Sequence, residues 1–142
     1  MPGAMAKLLD ANLIIRYFLD DDHVKADAVE QLLASSEEVW LPDVVIAEIV
    51  WVLASYYKLS RFDIVERIES LISLKNIKVN KLLIFTAISY YCEFSLDWID
   101  AYLAAYAREN RLAYICSYDQ DFDKLKQIKR VESKFKKIDK KD

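Results

Sequence analysis

Ala6-Lys7-Leu8-Leu9-Asp10, followed by Ala11-Asn12-Leu13-Ile14-Ile15-Arg16-Tyr17-Phe18-Leu19, is the stretch on which the fold turns. Its first half is a short apolar run, which reads as a buried strand from Ala6 to Leu9 ending at Asp10. From Asn12 to Leu19 the apolar residues recur at helical spacing. A strand that ends on an acid and feeds a helix places that acid where open parallel sheets bind their ligands, beyond the carboxyl ends of the strands.

The rest of the chain keeps alternating. After the acidic turn Asp20-Asp21-Asp22, a helix is predicted over 23–34 and a short strand over 39–41. Pro42 suits the first turn of the next helix, which runs to about Tyr57. Ser60-Arg61-Phe62-Asp63 resembles a capping box opening a helix to about Ser73. A third strand is expected over 77–79, helices over 81–93 and 98–110, and a buried strand over 113–116. A last short helix begins near Asp119 and reaches Leu125. Strands separated by helices argue for a parallel sheet covered on both faces. There is no interior linker or repeat, so residues 6–131 are expected to form one domain, with 132–142 a Lys-rich tail.

Composition removes several kinds of function. Gly3 is the only glycine, so a glycine-rich phosphate loop is excluded. No apolar run is long enough to span a bilayer, and no basic-then-apolar leader opens the chain. Cys92 and Cys116 sit in apolar sequence and read as reduced core residues of an intracellular, cytoplasmic protein. His23 is the only histidine, which leaves no His-rich zinc site; its place after three Asp residues speaks against a Ser-His-Asp triad.

Carboxylates are what remains. Asp10 and Asp119 follow predicted strands and are expected at the carboxyl ends of adjacent parallel strands. Asp10 also suits a helix N-cap. Glu48 lies in Val44-Val45-Ile46-Ala47-Glu48-Ile49-Val50-Trp51-Val52-Leu53, where its neighbours three and four residues away are all apolar. Buried there, it needs either a metal ion or a distant Lys or Arg to offset a desolvation cost of several kcal/mol. Asp97 and Asp100 share a helix face, with Asp97 reading mainly as a cap and Asp100 as the better ligand. Asp119, Asp121 and Asp123 alternate, but the segment lacks the Gly and distant Glu of an EF-hand loop. Four acids converging on one edge repel each other unless a hard divalent cation joins them, and such cations serve phosphate chemistry.

At these residues the sequence resembles the PIN-domain nucleases, in particular the VapC-type toxins. Leu8-Leu9-Asp10-Ala11-Asn12 resembles the family's opening motif, and Ala47-Glu48-Ile49 its acidic helix position. Asp100-Ala101-Tyr102-Leu103-Ala104-Ala105 and Ser117-Tyr118-Asp119-Gln120-Asp121-Phe122 are similar to its third and last motifs, with Ser117 where the family commonly has Thr. The resemblance covers about residues 6–125. It implies an α/β fold, a three-layer α/β/α sandwich with a central parallel sheet. It further implies an endoribonuclease using Mg²⁺ or Mn²⁺, with Asp10, Glu48, Asp100 and Asp119 catalytic and metal-binding. Asp97 and Asp121 follow as secondary ligand candidates, and Asn12 and Ser117 as residues that orient the cluster. A homodimer and a small antitoxin are the implied partners beside the RNA substrate.

Two other readings stand beside this one. A receiver-like phosphoryl-transfer domain wants paired acids after its first strand, and Asp10 has no acidic neighbour. A non-catalytic RNA- or partner-binding module of the same fold would have no need of all four acids. Charge is uneven: from Lys124 onward there are nine Lys/Arg and three Asp/Glu, against eleven and twenty before it. That basic end reads either as an RNA contact, with Arg16, Arg108 and Arg111 the substitutes, or as a solvated terminal helix and tail.

Overall fold

The structure, a computed structural model, describes residues 2–19 and 22–132. Asp20, Asp21 and the Lys-rich tail from residue 133 lie outside the described residues. Five strands and six α-helices alternate in the described residues: β1 Lys7–Leu8, α1 Ala11–Leu19, α2 His23–Ala34, β2 Val39–Trp40, α3 Asp43–Ser55, α4 Arg61–Ile72, β3 Ile77–Lys78, α5 Lys81–Glu93, α6 Trp98–Glu109, β4 Tyr114–Cys116 and β5 Lys129–Val131. A 3-10 helix at Gln120–Lys124 stands where the last short helix is predicted. Every strand pairing is parallel, as strands joined through helices require.

The chain divides into two compact units, with the boundary inside α5. The first carries a three-stranded sheet in the order β1-β2-β3. Val39 and Ile77 face the same side of it and are fully buried, among Leu9, Leu41, Ile46, Ile49, Leu53, Ile64, Ile68 and Ile72. α1 packs against α2 and α3, and α3 against α4. Local chemistry starts these helices where the sequence predicts. Asp22 accepts from the N–H of Lys25 to cap α2, and Ser60 accepts from the N–H of Asp63 at 3.1 Å to cap α4. Pro42 stands one residue earlier than expected, at the N-cap of α3 rather than inside its first turn.

The second unit holds α6 and the two-stranded β4–β5 sheet, with Leu96, Ala101, Ala104, Ala105 and Phe122 fully buried. β5 is absent from the sequence expectation: Lys129-Arg130-Val131 has no apolar alternation, yet it pairs in register with Tyr114-Ile115-Cys116. β4 also departs from expectation, because Tyr114 and Cys116 are exposed rather than buried. Both cysteines are exposed, so neither is the core residue predicted. Hydrogen bonding joins β1 to β2 and β4 to β5, so Asp10 and Asp119 end strands of different sheets rather than one adjacent pair.

With a single glycine in the chain, left-handed positions near helix ends fall to other residues. Lys58, Ser95 and Arg111 adopt φ of 58°, 53° and 56° shortly after α3, α5 and α6. Each accepts a strain of about 1 kcal/mol that glycine would avoid.

The two faces of α3 make a direct test of where the core lies. Ile49 is fully buried, whereas Val44 on the same helix is 74% exposed. Ile49→Ala is expected to lower unfolding free energy in urea by about 2–5 kcal/mol, and Val44→Ala to stay within about 0.5 kcal/mol of wild type.

Candidate metal centre

Asp100 is placed by the start of α6. Asp97 occupies the N-cap with extended backbone, φ −62° and ψ 155°, but its side chain makes no capping hydrogen bond. Asp100 falls in the first helical turn, where the helix dipole favours a carboxylate. Trp98 anchors that turn edge-on against Tyr91, ring centroids 5.6 Å apart. Its indole N–H is buried without a partner among the described residues. Such an orphan costs about 1–3 kcal/mol, which the packing of the ring must offset.

Asp119 and Asp121 are placed by the turn after β4. Ser117 Oγ accepts from the N–H of Asp119 at 3.0 Å, and Asp119 Oδ1 accepts from the N–H of Asp121 at 2.9 Å. These two successive bonds wind the chain into the 3-10 helix that Asp119 caps. The third acid of the alternation goes elsewhere. Arg130 Nε donates to Asp123 Oδ1 at 3.0 Å and Nη2 to Oδ2 at 3.3 Å, while Nη1 donates to the Ser117 carbonyl at 3.1 Å. Arg130 thereby fastens β5 to both ends of the acidic turn, and the Asp123 hydrogen bond holds its guanidinium more firmly protonated than usual. The sequence reading missed it because Lys129-Arg130 sits in a stretch that reads as solvated charge. The available signal was the alternation itself, whose outermost acid needs a counter-charge.

One carboxylate oxygen each from Asp100, Asp119 and Asp121 lies within 4.8 Å of the others. Asp121, a secondary candidate in sequence, is thus a full member of this cluster. Asp100 is half-buried and the other two are exposed. Partial burial, then a hydrogen bond with Asp119 and the charges of Asp119, Asp97 and Asp121, push the Asp100 carboxyl up from 3.8 to about 6. Compensation is thin: Lys124 Nζ lies 3.7 Å from Asp121 Oδ1, an exposed pair of the kind that contributes little.

The donor set fits a hard divalent ion. All three donors are carboxylate oxygens, as Mg²⁺ and Mn²⁺ prefer. Oxygens sharing one such ion at about 2.1 Å stand roughly 3 to 4.2 Å apart, so only a small closure of these side chains is needed.

The remaining candidates belong to the first unit. Asp10 is exposed just past β1, and its Oδ1 accepts from the N–H of Ala11, the first residue of α1, at 2.9 Å. Asn12 is exposed and lines a cavity of about 360 Å³ between α1 and α2. Glu48 corrects the sequence reading. It is exposed, because the neighbours expected to bury it, Val44 and Trp51, are themselves 74% and 66% exposed. Apolar neighbours in sequence imply burial only when their own face is covered. Glu48 therefore carries no such desolvation penalty, nor does it form an ion pair among the described residues.

Parallel strands joined through helices, with three carboxylates gathered beyond the end of a strand, define an α/β protein with a candidate metal centre. Residues 7–128 match the PIN domain, and the chain belongs to that family. It is similar to a VapC ribonuclease of Aquifex aeolicus, 30% identical over 125 residues that cover 84% of this chain and 91% of that protein. Among solved structures it is similar to a toxin-antitoxin complex from Klebsiella pneumoniae, at 16% identity and a TM-score of 0.33, covering 87% of this chain and 94% of that one.

The raised Asp100 carboxyl has a signed consequence for stability. Without metal, the folded protein keeps a proton that the unfolded chain releases between pH 3.8 and about 6. Stability therefore falls as pH rises through that window. In EDTA, Asp100→Asn is expected to melt above wild type by roughly 3–6 °C near pH 7.5, with the gap closing near pH 4. A gap of the same size at both pH values would refute the charge coupling.

Proposed function

We propose that this chain is an endoribonuclease that hydrolyses RNA phosphodiester bonds with Mg²⁺ or Mn²⁺, and that it acts as the toxin of a toxin-antitoxin pair. The observation that carries the reading is the juxtaposition of Asp100, Asp119 and Asp121 in a chain of the PIN domain family. Similarity to a VapC ribonuclease along 84% of the chain supports the substrate class. Asp10, Glu48, Asp100 and Asp119 are the proposed catalytic acids, with Asp97 and Asp121 as further ligands and Asn12 and Ser117 in support. Residues 6–131 are the proposed nuclease domain, with 132–142 as its tail.

A bound divalent cation supplies Lewis-acid stabilisation of charge on the phosphate and a more acidic attacking water. The chain's own residues prepare for it. Ser117 and the 3-10 helix hold Asp119 and Asp121 through backbone hydrogen bonds, so two carboxylates are positioned before any ion arrives. Asp100 must surrender its proton to serve as a ligand, so acid competes with metal below about pH 6. Polyanion attraction falls to groups outside this negative cluster. A homodimer and a small antitoxin are the proposed protein partners, and exposed apolar residues such as Val44, Trp51 and Tyr56 offer surface for them to cover.

Single substitutions Asp10→Asn, Glu48→Gln, Asp100→Asn and Asp119→Asn are expected to lower cleavage of cellular RNA in Mn²⁺ at least 100-fold, with circular dichroism unchanged. EDTA should abolish wild-type cleavage and excess Mg²⁺ or Mn²⁺ restore it. Wild-type activity in two or more variants would refute the site assignment. RNA binding without cleavage by the wild type would favour the non-catalytic module instead.

A further inference from the structure

The carboxyl edge of the β1-β2-β3 sheet carries a second feature with its own chemistry. A cleft of about 540 Å³ opens where β2 and β3 end, lined by Trp40, Asp43, Lys75, Lys78, Asn80 and Lys81 among others. Trp40 and Lys78 are register partners across the two strands, and both are exposed. Their neighbours Val39 and Ile77 face the opposite side and are buried, so alternation forces Trp40 and Lys78 outward together. The Trp40 indole N–H donates to Glu38 Oε1 at 2.6 Å, which fixes the ring by its edge.

The charge of this cleft runs against its surroundings. Residues 1–123 hold only eleven Lys/Arg against twenty Asp/Glu, yet three of those eleven line this one opening, against a single lining carboxylate, Asp43. Lys75, Lys78 and Lys81 are exposed and form no ion pair among the described residues. Three lysines beside a fixed, 42% exposed indole combine the two elements that bind single-stranded nucleic acid: cations for the backbone and an aromatic face for a base.

We propose that Trp40, Lys75, Lys78 and Lys81 form a single-stranded RNA-binding cleft that positions the substrate backbone on the sheet edge that Asp10 also occupies. The proposal rests on the ribonuclease reading and names the groups that attract the polyanion. β1 and β3 are two strand spacings apart, about 10 Å, so RNA seated at the end of β3 reaches the end of β1 within a short span. The cleft supplies the cations that the sequence reading sought in the Lys-rich tail.

The test is binding of a short fluorescein-labelled single-stranded RNA of mixed sequence to the full-length protein in EDTA across a salt series, beside cleavage of cellular RNA in Mn²⁺. Combined Lys75→Gln, Lys78→Gln and Lys81→Gln should weaken binding at least ten-fold at low salt and flatten the log–log salt slope by about 1 to 2 units, since each single-strand phosphate contact contributes about 0.7. Trp40→Leu, which keeps an apolar strand residue, should weaken binding roughly five-fold or more while leaving the slope unchanged. If wild type binds and cleaves RNA, and both folded variants bind with unchanged affinity and slope, the cleft is refuted and the ribonuclease reading stands. A wild type that neither binds nor cleaves RNA overturns both.

Discussion

Three carboxylates within 4.8 Å of one another set the terms for this protein. Like charges at that separation cannot all be ionised cheaply, and one carboxyl of the three, that of Asp100, holds its proton up to about pH 6. Asp100 takes that proton because it is the half-buried member of the cluster, and the two exposed acids stay better solvated. A site of this kind is unfavourable for the metal-free fold. Its repulsion is relieved either by protonation or by an ion with oxygen affinity, and the second is the chemistry that phosphodiester hydrolysis uses.

Such a cluster needs a backbone that does not yield to the repulsion. Ser117 and Asp119 close consecutive side chain-to-backbone hydrogen bonds, and the forked contact of Arg130 with Asp123 and the Ser117 carbonyl holds the turn onto β5. Each bond contributes modestly, and together they leave Asp119 and Asp121 few alternative positions. On the other partner, burial of Trp98 fixes the first turn of α6 and so the height of Asp100. The Trp98 indole N–H has no partner among the described residues, and the ring is held by packing edge-on against Tyr91. Stability is thus spent at both approaches to the cluster, as expected where geometry serves chemistry.

On the β2–β3 edge, Lys75, Lys78 and Lys81 line one cleft with a single carboxylate, Asp43. Trp40 adds an aromatic face whose orientation comes from strand alternation and the Glu38 hydrogen bond.

Local and periodic features were legible in the sequence because their causes are local. Apolar spacing delimits α2 and α5, side-chain oxygens cap α2 and α4, and the order strand-helix-strand requires parallel pairing. Ser117 entered through the family resemblance alone, and its Oγ accepts from the N–H of Asp119 two residues on. Tertiary structure decided everything that depends on which surface is covered. Glu48 has apolar neighbours in sequence, but burial belongs to faces, and the face it shares with Val44 and Trp51 is open. β5 exists because β4 offers it a ladder of hydrogen bonds, not because Lys129-Arg130-Val131 favours a strand alone. Asp121 joins Asp100 and Asp119 while Asp123 pairs with Arg130, a choice made by where a helix start and a distant strand bring their atoms. Hydrogen bonds between near neighbours and periodic patterns are written along the chain; solvent exposure and long-range charge pairing arise only when distant segments meet.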